Sequence, residues 1–427
     1  MTGRLVIGPP EVLADEPVRL AVTGCAPGEL VTVGASWAIG DHQAQSEAQF
    51  LAPPDGVVEP ARLASIGGSY SGVEPYGLWW AVGAAAAQSA TESLEPWSVS
   101  VTAAGDAWTR SGSLRRLKAA RSVRRIDVSD GGLRGLAFVP AGSGPFPTVL
   151  LFSGSGGGIS TVQCTAALLA SHGFAALALA YFNYPDLPAD LVDIPLEYFR
   201  AGIDWLIANV AVVGGRVAVM GASRGGELAL LLASSYPRAV AAAVAMVPSG
   251  VVWGGLTKDR ADDLIAWTRD GQAVRPLRAS PGQPPAPSYR DGAIVLTPSF
   301  EARLAAASPD ELAAAEIPVE RCDGPVLLLS AEDDALWPSV ALAEIAVRRG
   351  RDRGTAHPIR HLRYPDAGHV FTRPAGFPVP ASAEHPITGE LIAYGGSPTG
   401  NAHASTGSWT EILAFLRASL PAPGRGQ

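Results

Sequence analysis

Three residue types that together can break an acyl bond follow one another in this chain. They are a serine between glycines, an acid at the end of an apolar run, and a histidine after the next expected strand. Residues 213 to 236 read VGGRVAVMGASRGGELALLLASSY, with Ser223 inside the tight turn Gly221-Ala222-Ser223-Arg224-Gly225. A β-branched run from Arg216 to Met220 leads into the turn, and an Ala/Leu-rich helix is expected from about Gly226 to Ser234. A serine at a strand-turn-helix bend is held in a strained conformation with its hydroxyl presented outward. Glycines two before and two after are needed because side chains there would strike the neighbouring strand and helix. The chemistry this predicts is nucleophilic attack by Ser223.

A serine hydroxyl needs a base, and the base needs an orienting acid. The apolar run Pro325 to Ser330 ends in Ala331-Glu332-Asp333-Asp334, and the strand expected over Ile359 to Tyr364 leads into Pro365-Asp366-Ala367-Gly368-His369. The order serine, acid, histidine is that of a hydrolase built on a parallel sheet. His369 is therefore the expected general base. Asp334 is the expected acid, since the fourth residue of the strand-end turn falls over the active-site edge, with Asp333 as the alternative. His42, His172, His357 and His361 fit poorly with the order of elements, while His385 and His403 remain weaker candidates.

A second turn carries backbone chemistry. Thr148 to Phe152 runs into Ser153-Gly154-Ser155-Gly156-Gly157-Gly158, which lacks both the Lys-Ser/Thr of a phosphate-binding loop and the GxGxxG spacing. Beside a nucleophile elbow such a loop aims N–H groups at a developing oxyanion. The expected donors are Gly156 and Gly157 together with the N–H of Arg224. Glu227, in the first turn of the elbow helix, reads as a favourable dipole charge rather than a catalytic group.

These residues must be positioned by alternating strands and helices, and from about Ile126 onward the chain has that rhythm. Ser160 is the expected N-cap of a helix that stops at Gly173, followed by a strand from Phe174 to Ala180. The fold class is thus α/β, an α/β-hydrolase with a mostly parallel sheet and helices on both faces. Residues 1–125 differ: β-type runs (Pro17 to Val22, Leu30 to Ser36, Trp97 to Thr102) alternate with turn signals, as in an all-β sandwich. The expected organisation is a β-sandwich over 1–125 and a catalytic domain over 126–427, with a cap or lid insert at about 250–320. The aromatic, glycine-rich stretch from Gly67 to Trp80 reads as a packed corner. Arg110, Arg115, Arg116, Arg121, Arg124 and Arg125 read as a solvated face, with contact to a CoA phosphate as the alternative.

Composition bounds the partners. Of 427 residues, 47% are hydrophobic and only 17% charged, enough for a sizeable core, and the net charge of -8 argues against nucleic acid. The start of the chain has no basic flank followed by an apolar stretch, and no apolar run reaches membrane-spanning length, so membrane insertion is not expected and a cytoplasmic location is. Cys25, Cys164 and Cys322 are odd in number and far apart, fitting buried reduced thiols rather than disulfides or a metal site. No cofactor or metal is expected. The Arg-rich, Ala-rich, Lys-poor composition suggests a GC-rich bacterial source.

Longer stretches carry a family resemblance. PFPTVLLFSGSGGG, LLASHGFAALALAYFNYPDLP and PLEYFRAGIDWL resemble the acyl-CoA thioesterase and bile acid-CoA:amino acid N-acyltransferase family. So do EPVRLAVTGCAPGELVTV and GGSYSGVEPYGLWW in the first region, and GASRGGELAL, EDDALWPS, YPDAGH and YGGSPTGNAHASTGSWTEILAFL in the second. The resemblance covers nearly the whole chain. It implies Ser223, Asp334 and His369 as the triad and a small-molecule acyl thioester, carried by CoA or a carrier protein, as substrate. Two departures bear on activity. The amino-acid-conjugating branch uses cysteine where this chain has Ser223, which favours hydrolysis over conjugation. Residues 250 to 290, with Trp253, Trp267 and SPGQPPAPSY, exceed the family's usual length there, so acyl specificity is expected to differ. Carboxylester or lactone hydrolysis and acyl transfer use the same triad and are the rival readings.

Overall fold

The computed structural model describes residues 3–259, 264–278 and 285–421. Residues 4–117 form a six-stranded sheet and a three-stranded sheet. The strand Leu30–Ile39 shows how they pack: Val31, Val33, Ala35, Trp37 and Ile39 are buried and the alternate residues lie nearer solvent. That is the period-2 pattern of a sheet with one face on a core. The aromatic stretch is a packed corner, as its composition predicts. Trp79 is buried 6.2 Å from the Trp37 ring, and Trp80 lies 6.2 Å from Tyr70.

The arginines after it are not one solvated face. Arg115 and Arg121 both pair with Glu11, and Arg125 pairs with Asp127. Arg116 is fully buried, donates to the Ala14 carbonyl and lies 4.6 Å above the Trp79 ring. Burial pushes its guanidinium down to about 9.

The second region is an eight-stranded sheet. Its strands are β1 (Arg124–Val128), β2 (Arg134–Val139), β3 (Thr148–Phe152), β4 (Ala175–Ala180), β5 (Val217–Ala222), β6 (Val240–Met246), β7 (Val326–Ala331) and β8 (Ile359–Tyr364). The spatial order is β1-β2-β4-β3-β5-β6-β7-β8, with β2 antiparallel to both neighbours and every later pairing parallel. This is the α/β-hydrolase sheet. Strands β3, β4 and β7 are buried at every residue, because helices cover both faces; their near-continuous Ala, Val and Leu runs are the sequence trace of that. The principal helices are α1 (Gln163–Ser171), α2 (Leu196–Asn209), α3 (Arg224–Ser235), α4 (Thr297–Ala306), α5 (Pro309–Ala315), α6 (Ser339–Arg353) and α7 (Pro398–Ser419).

Two expected boundaries move. Helix α1 begins at Gln163 behind Val162, with no side-chain cap, so Ser160 is not its N-cap. Helix α3 begins at Arg224, directly after the serine. The chain from β6 to β7 crosses no simple turn. It makes short strands, α4 and α5, the last opened by a capping box of Ser308 and Glu311. Residues 260–263 and 279–284 of the expected 250–320 insert lie outside the described residues. Among the described residues, no helix is long and apolar enough to cross a membrane. All three cysteines are buried with free thiols, and burial raises Cys164 to about 11 and Cys322 to about 12.

Candidate active site

Four loops leave the carboxyl ends of parallel strands β3, β5, β7 and β8, the edge at which ligands bind in open α/β sheets. Each carries one part of the site. Between β5 and α3, Ser223 adopts φ 60° and ψ −126°, a conformation that L-residues avoid. The turn closes so tightly that a methyl on Gly221 would sit 2.4 Å from the Gly225 carbonyl oxygen. One on Gly225 would sit 2.6 Å from that of Ser153. Both glycines are required by contact. The Ser223 N–H donates to the Met246 carbonyl at 2.9 Å, which ties the strained turn to β6.

After β7 the two candidate acids part. The Asp333 carboxylate is gripped by both terminal nitrogens of Arg290 at 2.7 and 2.8 Å and by the Gly396 N–H at 2.9 Å. The bonds from Arg290 hold it below the usual carboxylate range. The Asp334 carboxylate turns inward. Its Oδ1 accepts the N–H groups of Leu336 and Trp337, and its two oxygens lie 3.0 and 2.9 Å from His369 Nδ1. An ionised carboxylate only accepts, so Nδ1 carries the proton and Nε2 presents its lone pair. His369 is 4% exposed, and Nε2 has no hydrogen-bond partner among the described residues. The ring lies between Trp337 (5.8 Å, edge-on) and Tyr394 (6.4 Å, stacked), and its backbone N–H donates to the Tyr394 carbonyl at 2.7 Å.

Ser223 and Trp337 both line a cavity of about 370 Å³. Its walls are mostly apolar, including Trp253, Leu256, Leu277, Phe300 and Ile392. Most of these come from the segment between β6 and β7. That volume suits a small-molecule ligand.

The glycine-rich loop after β3 approaches the serine at its start. A methyl on Gly154 would lie 3.1 Å from Ser223 Cβ, and Ser155 lines the same cavity as Ser223. Gly156 and Gly157 instead line a second, more open groove, and the Gly157 N–H donates to the Gly154 carbonyl at 3.2 Å. Of the two loop donors expected, Gly157 is thus already engaged. The Arg224 N–H opens α3, where first-turn N–H groups have no helical acceptor.

Glu227 differs from its expected role as a dipole charge. It is fully buried, accepts the Trp267 indole N–H at 2.7 Å and the Trp253 N–H at 3.4 Å, and lies 3.3 Å from the Arg224 guanidinium. Burial pushes its carboxyl up to about 7, with Arg224 opposing. Arg224 in turn donates to the Trp253 carbonyl at 2.9 Å. The pair therefore fastens the elbow helix to the segment that walls the cavity. No motif marks this; the only sequence signal is a charged pair three residues apart in a helix that is otherwise Ala, Leu, Gly and Ser. His385 was a weak candidate base, and it too lines the cavity, but 2.9 Å from Ser155 Oγ. His403 is bound to Glu74, and His172 to Asp15.

Residues 15–130 match the family model described as the acyl-CoA thioester hydrolase/BAAT N-terminal region, and residues 194–422 match that of the BAAT/acyl-CoA thioester hydrolase C terminal. Human acyl-coenzyme A thioesterase 1 is 33% identical over 307 residues, 70% of this chain and 66% of that protein. Human mitochondrial acyl-coenzyme A thioesterase 2 is 33% identical over 70% of this chain and 57% of its own length. The chain thus spans slightly less than two thirds of the one and over half of the other. Among solved structures, a hyperthermophilic esterase from the archaeon Pyrobaculum calidifontis aligns with a TM-score of 0.41 at 17% identity, covering 70% of this chain and 83% of that one. With more than half of its length matched by the C-terminal model, the chain belongs to the acyl-CoA thioester hydrolase/BAAT family.

Proposed function

We propose that this protein is a serine-dependent acyl-CoA thioesterase, with Ser223 as nucleophile, His369 as general base and Asp334 as the acid that orients it. The observation that carries the reading is the orphaned Nε2 of His369, buried and fixed as a proton acceptor through Asp334, in a site whose serine is held in a strained turn. His369 takes the Ser223 proton as Oγ bonds to the thioester carbonyl carbon, and the π pair moves to the oxygen. The N–H of Arg224 and those at the Ser155-Gly156 end of the loop receive that charge, each donor being worth about 3 kcal/mol. Collapse breaks the C–S bond, and the leaving thiolate takes the proton from His369. Water, deprotonated by His369, then attacks the acyl-serine; Ser223 recovers its proton and the carboxylic acid leaves.

The thioester reading draws on the names of the relatives, and the apolar cavity suits an acyl chain. Residues 250–320 are read as a cap that sets acyl preference. Residues 1–125 and 126–427 are read as the two domains. Hydrolysis is favoured over transfer because an oxygen ester on Ser223 reacts with amines less readily than a thioester would.

The test is thiol release from a panel of short, long and branched acyl-CoAs, by the wild type and Ser223→Ala, beside an alkyl ester of one of the same acids and with glycine or taurine added. Release of acid and thiol that vanishes in the variant is expected. Faster cleavage of the alkyl ester would replace the reading with an esterase, and amide product with an acyltransferase.

A further inference from the structure

A serine other than Ser223 and a histidine other than His369 line the cavity, and the hydrogen bonds around them fix where their protons are. Ser155 and His385 line the same cavity as Ser223. His385 is buried, and its Nδ1 accepts the N–H groups of Ile387 at 3.2 Å and Thr388 at 3.4 Å. A nitrogen that accepts two N–H bonds carries no proton, so the proton of the neutral ring is on Nε2. Nε2 lies 2.9 Å from Ser155 Oγ and donates to it. The hydroxyl oxygen therefore accepts from His385 and keeps its own proton to donate elsewhere.

What that proton meets is set by the loop. Gly154, the residue before Ser155, is packed against Ser223, its would-be Cβ 3.7 Å from Ser223 Oγ. The loop holds this place through Asn183, which donates to the Gly156 carbonyl at 2.8 Å, and Tyr181, which donates to the Ser153 carbonyl at 2.9 Å. The hydroxyl is thus a donor inside the cavity that Ser223 lines, on the residue after the glycine packed against Ser223, and a donor near a reacting acyl group can stabilise its oxygen as that gains charge.

We propose that Ser155 is a further catalytic residue, its hydroxyl donating a hydrogen bond to the oxyanion, and that His385 is the positioning residue that orients it. This rests on the reading of Ser223 as nucleophile. A hydroxyl donor supplements backbone N–H groups that remain in place, so its loss is smaller than the loss of the triad.

The experiment compares wild type, Ser155→Ala, Ser155→Thr, His385→Leu, His385→Gln and the Ser155→Ala/His385→Leu pair. It measures kcat and KM for an acyl-CoA, and the rate at which a fluorophosphonate labels Ser223. Ser155→Ala should lower kcat and the labelling rate roughly 10- to 100-fold with KM within about twofold. Ser155→Thr, which keeps the hydroxyl, should retain most of the rate. His385→Leu should lower it in the wild-type background and add less than about twofold to Ser155→Ala, since it acts through that hydroxyl. His385→Gln, which keeps a donor at the same atom, should recover part of the loss. A Ser155→Ala rate within about twofold of wild type, or losses that multiply in the pair, would overturn the proposal. If acyl-CoAs are not turned over while Ser223 still reacts with the fluorophosphonate, the thioesterase reading fails and the labelling rates still decide the role of Ser155. No Ser223-dependent reaction of either kind overturns both.

Discussion

Among the described residues, two aspartate–histidine pairs have a buried carboxylate and different surroundings. At the carboxyl edge of the large sheet, Asp334 holds His369 at 2.9 Å. At the junction between the N-terminal sheets and the large sheet, Asp15 holds His172 Nε2 at 2.6 Å and also accepts the Trp409 indole N–H at 2.8 Å. Both carboxylates are almost fully covered, side-chain exposure being 2% and 1%. The difference lies in what the histidine faces. His369 keeps a nitrogen with no partner among the described residues, whereas His172 sits edge-on to Trp409 at 6.2 Å. A buried acid–base pair is therefore not by itself a site. What sets His369 apart is a second nitrogen with no partner among the described residues.

The comparison can be broken by substituting the two histidines. His369→Ala is expected to lower kcat by about 10³-fold or more with the melting temperature little changed. His172→Ala is expected to leave kcat per folded molecule unchanged and to destabilise the fold by about 3 kcal/mol, because it strands a buried carboxylate. Denaturant unfolding and steady-state kinetics on both variants check this. Equal effects on activity would erase the distinction.

The neighbouring acids sharpen it. Asp334→Asn, which keeps shape but not charge, should cost about 10²- to 10⁴-fold in kcat, while Asp333→Asn should cost only a few-fold, since Arg290 and Gly396 hold that carboxylate away from His369. Parallel kcat values decide between them. The smallest effect concerns Glu227. Its folded-state carboxyl is raised to about 7 by burial, so the neutral folded form is favoured. The associated stability is fully present below its unfolded value near 4.5 and is lost as pH rises through about 7. Wild-type stability should thus fall between pH 5 and 8 by at most about 3 kcal/mol more than that of Glu227→Gln, read from denaturant midpoints across that range.

Much of this site is legible in the sequence. The elbow and the acid turn each follow a β-branched or Leu-rich run, the histidine turn follows the expected strand Ile359 to Tyr364, and their order along the chain points to Ser223 and His369 before any coordinate is known. The choice of Asp334 over Asp333 rests on turn position and on the family resemblance. What separates the two in space is Arg290, 43 residues away in sequence, which no local pattern reports. Arg116 escaped for the same reason, one arginine of a surface-looking group being wrapped by Trp79 and the Ala14 carbonyl. Glu227 looked like a helix-dipole charge because burial by Trp253 and Trp267 is a tertiary fact. Glycine content says that a backbone turns but not which N–H is left unbonded. Gly157 donates back to Gly154.

The most direct test of the account is to locate the adduct that a fluorophosphonate leaves, by peptide mass spectrometry of the wild type, His369→Ala and His172→Ala. The account predicts a single adduct on Ser223, formed at the wild-type rate in His172→Ala and slowed by orders of magnitude in His369→Ala. An adduct on another residue, or labelling of Ser223 that His369→Ala leaves undiminished, would contradict it.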